Sequence, residues 1–247
     1  MEIHKPKAIH SWRDFLKEVG IIVLGVSIAL AGEQAVERWH QRQQYREARE
    51  AMRTELSYDR YNMSRRNLFA ACTRRRMDEI AALLDRAQKG QAFEPPRWIG
   101  PASAFRLRFS AEAEAGKSGL FAPGEQRNFS MAYGWLHTID VEQDRERIAW
   151  GRLQMLEGAG SLTPELINSL RLALADARFS YDRIPFIMGW LNMTAREFGI
   201  GGNFSHDSVL TNIPKTWPHC IPMNTPRDEA LRLSAWYPPE FQPPGTN

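Results

Sequence analysis

The first forty positions of the chain divide sharply into apolar and polar stretches. Residues 19–32 carry no charge, and Phe15, Leu16, Ala35 and Val36 extend the apolar run at both ends. Because roughly 20 apolar residues cross a typical hydrocarbon core, this length favours a membrane span over a buried helix. The pattern predicts a short N-terminal tail over residues 1–14 and a transmembrane helix over residues 15–38.

The two flanks of this segment carry residues typical of a membrane interface. Lys17 and Arg38 can extend their charges outward along their aliphatic stems. Trp12 and Trp39 bracket the run, and at about 1.5 Å of rise per residue they lie roughly 40 Å apart. That separation matches the two interfacial belts, so these four residues are predicted membrane-interface anchors.

Small side chains recur along one side of the predicted span. Gly25, Ala29 and Gly32 follow one another at spacings of four and three residues. Such a smooth face lets two helix backbones approach closely, which predicts a docking face for a second copy or a foreign subunit. The alternative is that glycine and alanine are simply frequent in spans. No histidine lies within the apolar run, so we expect no axially ligated haem or chlorophyll, and no other cofactor is predicted.

Beyond the span, the apolar positions follow a helical spacing of three to four residues. This pattern runs without proline or glycine over residues 33–88, returns over 125–156, and starts again at Thr163 and Pro164. We expect a weak point near residues 57–62 and a kink near Pro185. The prediction is an all-α fold: one N-terminal transmembrane helix that continues into a long stalk helix, an antiparallel helical bundle over residues 39–200, and an irregular Pro-rich and aromatic-rich tail over 201–247.

Charge is balanced along the chain. The 32 Lys and Arg residues are interleaved with 29 Asp and Glu residues, for a net charge of +3, which argues against a nucleic-acid-binding surface. Two groups of charged residues are interpreted as solvated helix faces. They are the arginines Arg65, Arg66, Arg74, Arg75 and Arg76, and the carboxylates Glu142, Asp144 and Glu146.

The chain has two cysteines, Cys72 and Cys220. A disulfide between them would hold the C-terminal tail against the first long helix, and the even count permits this bond. Metal binding would need more ligands at a standard spacing, and neither C-x-x-C nor H-E-x-x-H occurs. We therefore predict a disulfide candidate and no metal site.

Membrane orientation is nearly undecided by charge, because basic residues flank the span on both sides. A short basic N-terminus followed by an apolar run is typical of an uncleaved signal anchor, and a cysteine pair suits an oxidising compartment. We predict a protein of the bacterial inner membrane, with the N-terminus cytoplasmic and the bulk of the chain periplasmic.

Residues 14–37, which read DFLKEVGIIVLGVSIALAGEQAVE, resemble the anchor of a bacterial family of single-pass membrane-anchored helical proteins of uncharacterised function. The resemblance continues through the Arg- and Glu-rich residues 44–55 and, more weakly, through residues 72–85 and 119–135. It implies a small membrane-tethered helical protein whose two cysteines could pair. It supplies no catalytic residues.

No nucleophile, metal or cofactor motif is recognisable, so we predict that the protein is not an enzyme. The leading hypothesis is a non-catalytic accessory or scaffolding subunit of a larger membrane protein complex. Its partners would be integral membrane protein subunits and the lipid bilayer, or a second copy of the chain, and not nucleic acid. The alternative is a membrane-tethered sensor or small-ligand-binding helical bundle.

Overall fold

The computed structural model describes residues 12–92, 94–102, 105–115, 119–200 and 217–234, apart from the side chains of Asp14 and Glu114. Within these ranges every regular element is a helix, and no strand occurs. The all-α prediction is therefore confirmed. Residues 1–11 of the predicted N-terminal tail lie outside the described residues, as do residues 201–216 and 235–247 of the predicted C-terminal tail.

Helix α1 spans Trp12–Arg66 and is 55 residues long. Its part before Tyr45 is exposed, and side-chain hydrogen bonds of the i,i+4 type, such as Gln41 to Glu37 at 2.9 Å, support the polar stretch. An 18-residue window near its start has a mean hydropathy of 1.9 and is 0% buried. By length and composition, α1 is thus a candidate membrane anchor or signal segment.

The long helix breaks later than the sequence predicts. The predicted weak point at residues 57–62 lies inside α1, and the interruption is a 3₁₀ turn at Asn67–Phe69, which leads into α2 (Ala70–Gln88). At this turn the Phe69 ring is buried in a stack on Trp217, with centroids 3.9 Å apart. A contact from a distant part of the chain thus fixes the break. Helix α2 ends just before Gly90, whose φ of 66° is readily adopted only by glycine.

Three further helices complete the bundle. Helix α3 covers Ser110–Ala115 and α4 covers Pro123–Leu153, followed by a 3₁₀ turn at Gln154–Leu156. Helix α5 covers Pro164–Glu197, begins with the Thr163 hydroxyl accepting from the Leu166 N–H at 3.3 Å, and continues through Pro185. Helices α4 and α5 pack antiparallel along their length, because Trp135 meets Trp190 while Glu142 meets Ser180.

Two apolar clusters form the core of the bundle. The first lies nearer the apolar part of α1 and joins α1, α4 and the end of α5 through Leu56, Phe129, Leu136 and Leu191. The second joins α2 to the other ends of α4 and α5. Its fully buried members include Ile80, Leu84, Trp150, Leu153 and Ala177.

The described part of the predicted irregular tail is packed against the bundle. It contains a 3₁₀ turn at Pro218–Cys220 and a short helix α6 at Arg227–Ser234. Ile221 and Ala230 form a buried cluster with Trp98, which lies in the connection after α2. This segment therefore closes the end of the bundle that is remote from the apolar part of α1.

Candidate functional site

The predicted packing face of the anchor lies on an exposed part of α1. Gly25, Ala29 and Gly32 are exposed, and a Cβ added at Gly25 or Gly32 would meet nothing within 4 Å. The predicted interface anchors are exposed as well: Trp12, Lys17, Arg38 and Trp39. The structure thus leaves this whole segment free to contact lipid or another helix.

The structure joins Cys72 to Cys220 through a disulfide that links residues 148 positions apart, with 4.9 Å between their Cα atoms. Cys72 lies on α2 and Cys220 ends the 3₁₀ turn of the tail. The bond therefore fastens the tail to the bundle at the point where Phe69 and Trp217 stack.

Beside the disulfide, the buried side chain of Arg76 donates hydrogen bonds to several backbone carbonyls. Its guanidinium is 1% exposed and donates to the carbonyls of Trp98 at 3.0 Å, Ile99 at 2.6 Å and Ile221. Burial lowers the pKa of Arg76, which Glu79 partly offsets. The side chain satisfies carbonyls that the irregular segments cannot pair among themselves, so its role is to hold the tail in place.

His219 is fully buried next to Arg76. Its ring stacks on Trp150 with centroids 4.2 Å apart, and its Nδ1 lies 3.1 Å from the Thr73 hydroxyl. Burial, with help from the charge of Arg76, lowers the pKa of His219 to about 3. The imidazole is therefore neutral at physiological pH and is enclosed, so it serves packing and not proton transfer with an external molecule.

A second polar cluster ties α1 to the connection before α4. Glu55 accepts hydrogen bonds from the Tyr133 hydroxyl at 2.8 Å and the Ser110 hydroxyl at 2.7 Å. Asp59, one turn later, accepts from the Arg108 backbone N–H at 3.2 Å. Burial raises the pKa of Asp59 to about 7, and burial together with Glu55 raises the pKa of Tyr133. Asp59 is 0% exposed, so this cluster belongs to the interior of the bundle.

The interpretation of the charged groups as solvated faces is wrong for four residues. Arg66 and Glu146 form a buried ion pair, and the Trp150 indole N–H also donates to Glu146 at 3.2 Å. Glu142 is 2% exposed and accepts from the Ser180 hydroxyl at 3.0 Å. Arg76 is the fourth. Sequence spacing shows which charges can pair along one helix, but these partners come from other elements, which spacing cannot reveal.

Three arginines line a cleft between the end of α1 and the last turns of α5, and one of them, Arg66, is paired with Glu146. The cleft has a volume of about 280 Å³, and Arg60 and Arg196 contribute its charge. Arg60 is 8% exposed, and its Nε donates to the Asn192 side-chain carbonyl at 2.8 Å. Among the described residues, neither Arg60 nor Arg196 forms an ion pair with a carboxylate. Nothing in the spacing of Arg60 marks it out in the sequence.

The outer surface of the bundle carries an apolar band that the sequence analysis missed. It is termed the α5 stripe and comprises Leu172, Phe179, Phe186, Trp190 and Met193, which are 41–68% exposed. Four of them recur every seven residues, so they share one side of the helix. Trp190 continues the surface onto α4 by stacking on Trp135, with centroids 6.1 Å apart. That heptad spacing is visible in the sequence and is the signal that could have revealed the stripe.

Metal-binding side chains are not gathered in the described part of the chain, where His, Cys, Asp and Glu nowhere form a group of three that could hold an ion. Comparison of the chain with protein-family models, with curated proteins and with solved structures finds no match. The resemblance of residues 14–37 to a family of membrane-anchored proteins therefore stays a prediction.

Proposed function

We propose that this protein is a non-catalytic accessory or scaffolding subunit of a larger membrane protein complex. The α5 stripe is the observation that carries this proposal. It places five large apolar side chains, each 41–68% exposed, along one side of α5, and exposed apolar surface of this kind usually contacts another protein. Aromatic residues and methionine, which make up most of the row, are enriched at interface cores.

The anchor supports the same function. Gly25, Ala29 and Gly32 offer a smooth strip for close helix packing inside a bilayer. One partner with both a transmembrane helix and an outer domain could contact this strip and the α5 stripe together. Two contacts on one partner strengthen binding, because the second becomes intramolecular once the first has formed. The proposed partner is therefore an integral membrane protein.

We place the bundle in the periplasm of a bacterial inner membrane and the N-terminus in the cytoplasm. The Cys72–Cys220 disulfide supports this orientation, because disulfides persist in oxidising compartments. A reporter enzyme that is active only outside the cytoplasm, fused after the last residue, should be active. An inactive reporter beside an active N-terminal fusion would reverse the orientation.

The decisive experiment is capture of the tagged full chain after gentle detergent extraction of its native membrane. We expect a fixed, stoichiometric set of integral membrane subunits. Replacing Phe186 and Trp190 by glutamate should release that set. Ile148 is the control, because it is 57% exposed on α4 and does not belong to the stripe, and its replacement by glutamate should leave the set bound.

The anchor is tested in the same way. Leucine at Gly25 and Gly32 should weaken capture, whereas leucine at Gly20, which lies on a different side of the helix, should not. Recovery of the wild-type chain only as a homogeneous monomer or homo-oligomer would contradict the accessory-subunit function. A set of subunits that survives the stripe variant would remove the α5 stripe from the proposal.

A membrane-tethered sensor or small-ligand-binding bundle is the second candidate. One specific observation favours it: α1 is a single helix that connects the apolar segment directly to Arg60 and the arginine-lined cleft. A ligand in that cleft would bridge α1 and α5. A change in their packing could then reach the membrane through one continuous helix.

A further inference from the structure

We propose that the cleft between α1 and α5 is a binding site for a small organic anion that carries one carboxylate or phosphate group and a short apolar part. Two features of the cleft define this class: its lining carries positive charge without a counter-ion, and it includes methionine and isoleucine side chains. The inference is independent of partner binding, because the cleft and the α5 stripe share no residue.

The charge of the cleft has no counter-ion within the described chain. Of the residues that line the cleft, none is Asp or Glu. Arg66 also lines it, but its charge is neutralised by Glu146. Arg60 and Arg196 therefore leave two positive charges in one small volume. Burial lowers the pKa of Arg60, and the charge of Arg196 lowers it further. An anion between the two guanidinium groups would offset their mutual repulsion.

The hydrogen-bonding groups also suit an anion. The Arg60 Nε donates to the Asn192 carbonyl oxygen, which holds the guanidinium in place at the cleft. Its terminal nitrogens form no hydrogen bond or ion pair with another described residue. A fixed guanidinium offers parallel N–H donors that match two oxygens of a carboxylate or phosphate. Because the Asn192 oxygen already accepts from Arg60, its amide nitrogen adds a further donor. The site is thus rich in donors.

The apolar wall and the size of the cleft restrict the rest of the ligand. Met63, Ile184 and Met188 line the cleft together with Pro185 and Gly189. The volume of about 280 Å³ falls just below the range of about 300–1,000 Å³ that is usual for drug-sized ligands. A molecule of a few carbon atoms with one anionic group fits this space.

The position of the cleft distinguishes a free anion from a lipid headgroup. Arg60 follows Trp39 by 21 residues on one continuous helix. At about 1.5 Å per residue, this distance along the axis is roughly 30 Å. If Trp39 lies at the membrane interface, a headgroup in the plane of the bilayer does not reach the cleft. The ligand is therefore a molecule free in solution.

The test uses the purified full chain in neutral-lipid nanodiscs and isothermal titration calorimetry. The probes are butyrate and butyl phosphate, with butanol and butylammonium as neutral and cationic counterparts of the same shape. We expect both anions to bind and to raise the unfolding temperature of the protein. Their affinity should fall as the salt concentration increases. Equal binding of butanol, or no heat with either anion, would overturn the proposal.

Variants of Arg196 test whether this residue binds the anion or only supports the fold. Arg196 is exposed, so its replacement by glutamine leaves the fold intact and should weaken anion binding at least tenfold. Arg196→Glu should abolish binding and raise the unfolding temperature, because the new carboxylate neutralises Arg60 from within the chain. A purely structural role predicts no such gain. Arg152→Gln, an equal change of charge on α4, should leave the anion affinity unchanged.

A final experiment distinguishes a free anion from an anionic lipid headgroup as the occupant of the cleft. Nanodiscs with phosphatidylglycerol should give the same affinity for butyl phosphate as neutral nanodiscs. A loss of affinity that only the anionic lipid causes would identify a headgroup as the occupant and overturn the free-ligand assignment. Unchanged affinity in both Arg196 variants would likewise reject the cleft.

Discussion

Asp59 and His219 are both fully buried. Each should make the free energy of unfolding depend on pH, and the two dependences should have opposite signs. Burial raises the pKa of Asp59 from 3.8 to about 7. Between these values the folded protein holds a proton that the unfolded chain has released. This contribution to the free energy of unfolding is present below pH 4 and is lost as pH rises through 7. About three pKa units at 1.36 kcal/mol each give about 4 kcal/mol.

His219 acts in the reverse sense. Its pKa is lowered from 6.5 to about 3, so the unfolded chain binds a proton below pH 6.5 that the folded protein excludes. The contribution is present above pH 6.5 and is lost as pH falls toward 3, again by about 4 to 5 kcal/mol. In the wild type the two slopes nearly cancel between pH 4 and 6.5. Removing either group should expose the slope of the other.

Urea unfolding of the full chain in detergent micelles, followed by tryptophan fluorescence, measures both slopes. Asp59→Asn keeps an oxygen for the Arg108 N–H, and relative to wild type it should gain about 4 kcal/mol between pH 4 and 7. His219→Gln should instead lose about 3 kcal/mol relative to wild type as pH rises from 4 to 6.5.

The exposed Asp85 provides the control, because its replacement by asparagine makes the same change of carboxylate to amide outside the core. The measured quantity is how the difference in free energy of unfolding between variant and wild type changes with pH. A variant that is less stable at every pH therefore still gives a valid result. If the difference between Asp59→Asn and wild type stays constant within about 1 kcal/mol across the window, Asp59 is ionised in the folded protein and the reasoning from burial is refuted.

Three further predictions concern stability. Arg66→Met or Glu146→Leu alone should cost about 3–5 kcal/mol in thermal unfolding followed by circular dichroism, because each strands a buried charge, while the double variant should recover most of the loss. An additive double variant would contradict this coupling. Serine at Cys72 and Cys220, or a reductant, should lower the free energy of unfolding in urea by up to about 5 kcal/mol, since the bond closes a loop of 148 residues; an unchanged urea midpoint in reductant would show that the bond contributes nothing. Gly100→Ala should cost more than about 1 kcal/mol in the same assay, because φ is 90° and the new Cβ would lie 3.0 Å from a neighbouring ring atom; wild-type stability would refute the close approach.

Local pattern was sufficient to predict the helices. The apolar run, the absence of proline over residues 33–88, and the Thr163 cap each act within a few residues, and helices form from such local preferences. The prediction failed where the helix boundary depends on a remote contact. The break at Asn67–Phe69 is set by the stack of Phe69 on Trp217, which is 148 residues away in sequence.

Some of the candidate sites could be predicted from local spacing, whereas others depend on tertiary packing. Gly25, Ala29 and Gly32 could be assigned to one face because helical spacing alone puts them there. The α5 stripe follows the same logic and was available from its seven-residue spacing. Arg60 was not, because its significance is that no carboxylate in the described residues neutralises it, and only the packing of α5 against α1 establishes which side chains surround it.

The sequence by itself determined that this is a helical protein with one exposed apolar segment at its start, because hydropathy and helical periodicity are properties of neighbouring residues. Only the tertiary structure decided which charges are buried. Arg66 and Glu146, 80 positions apart, and Arg76, bound to carbonyls of two distant segments, look like surface residues in the sequence. Burial depends on the elements that pack around a side chain, and that is a property of the whole fold.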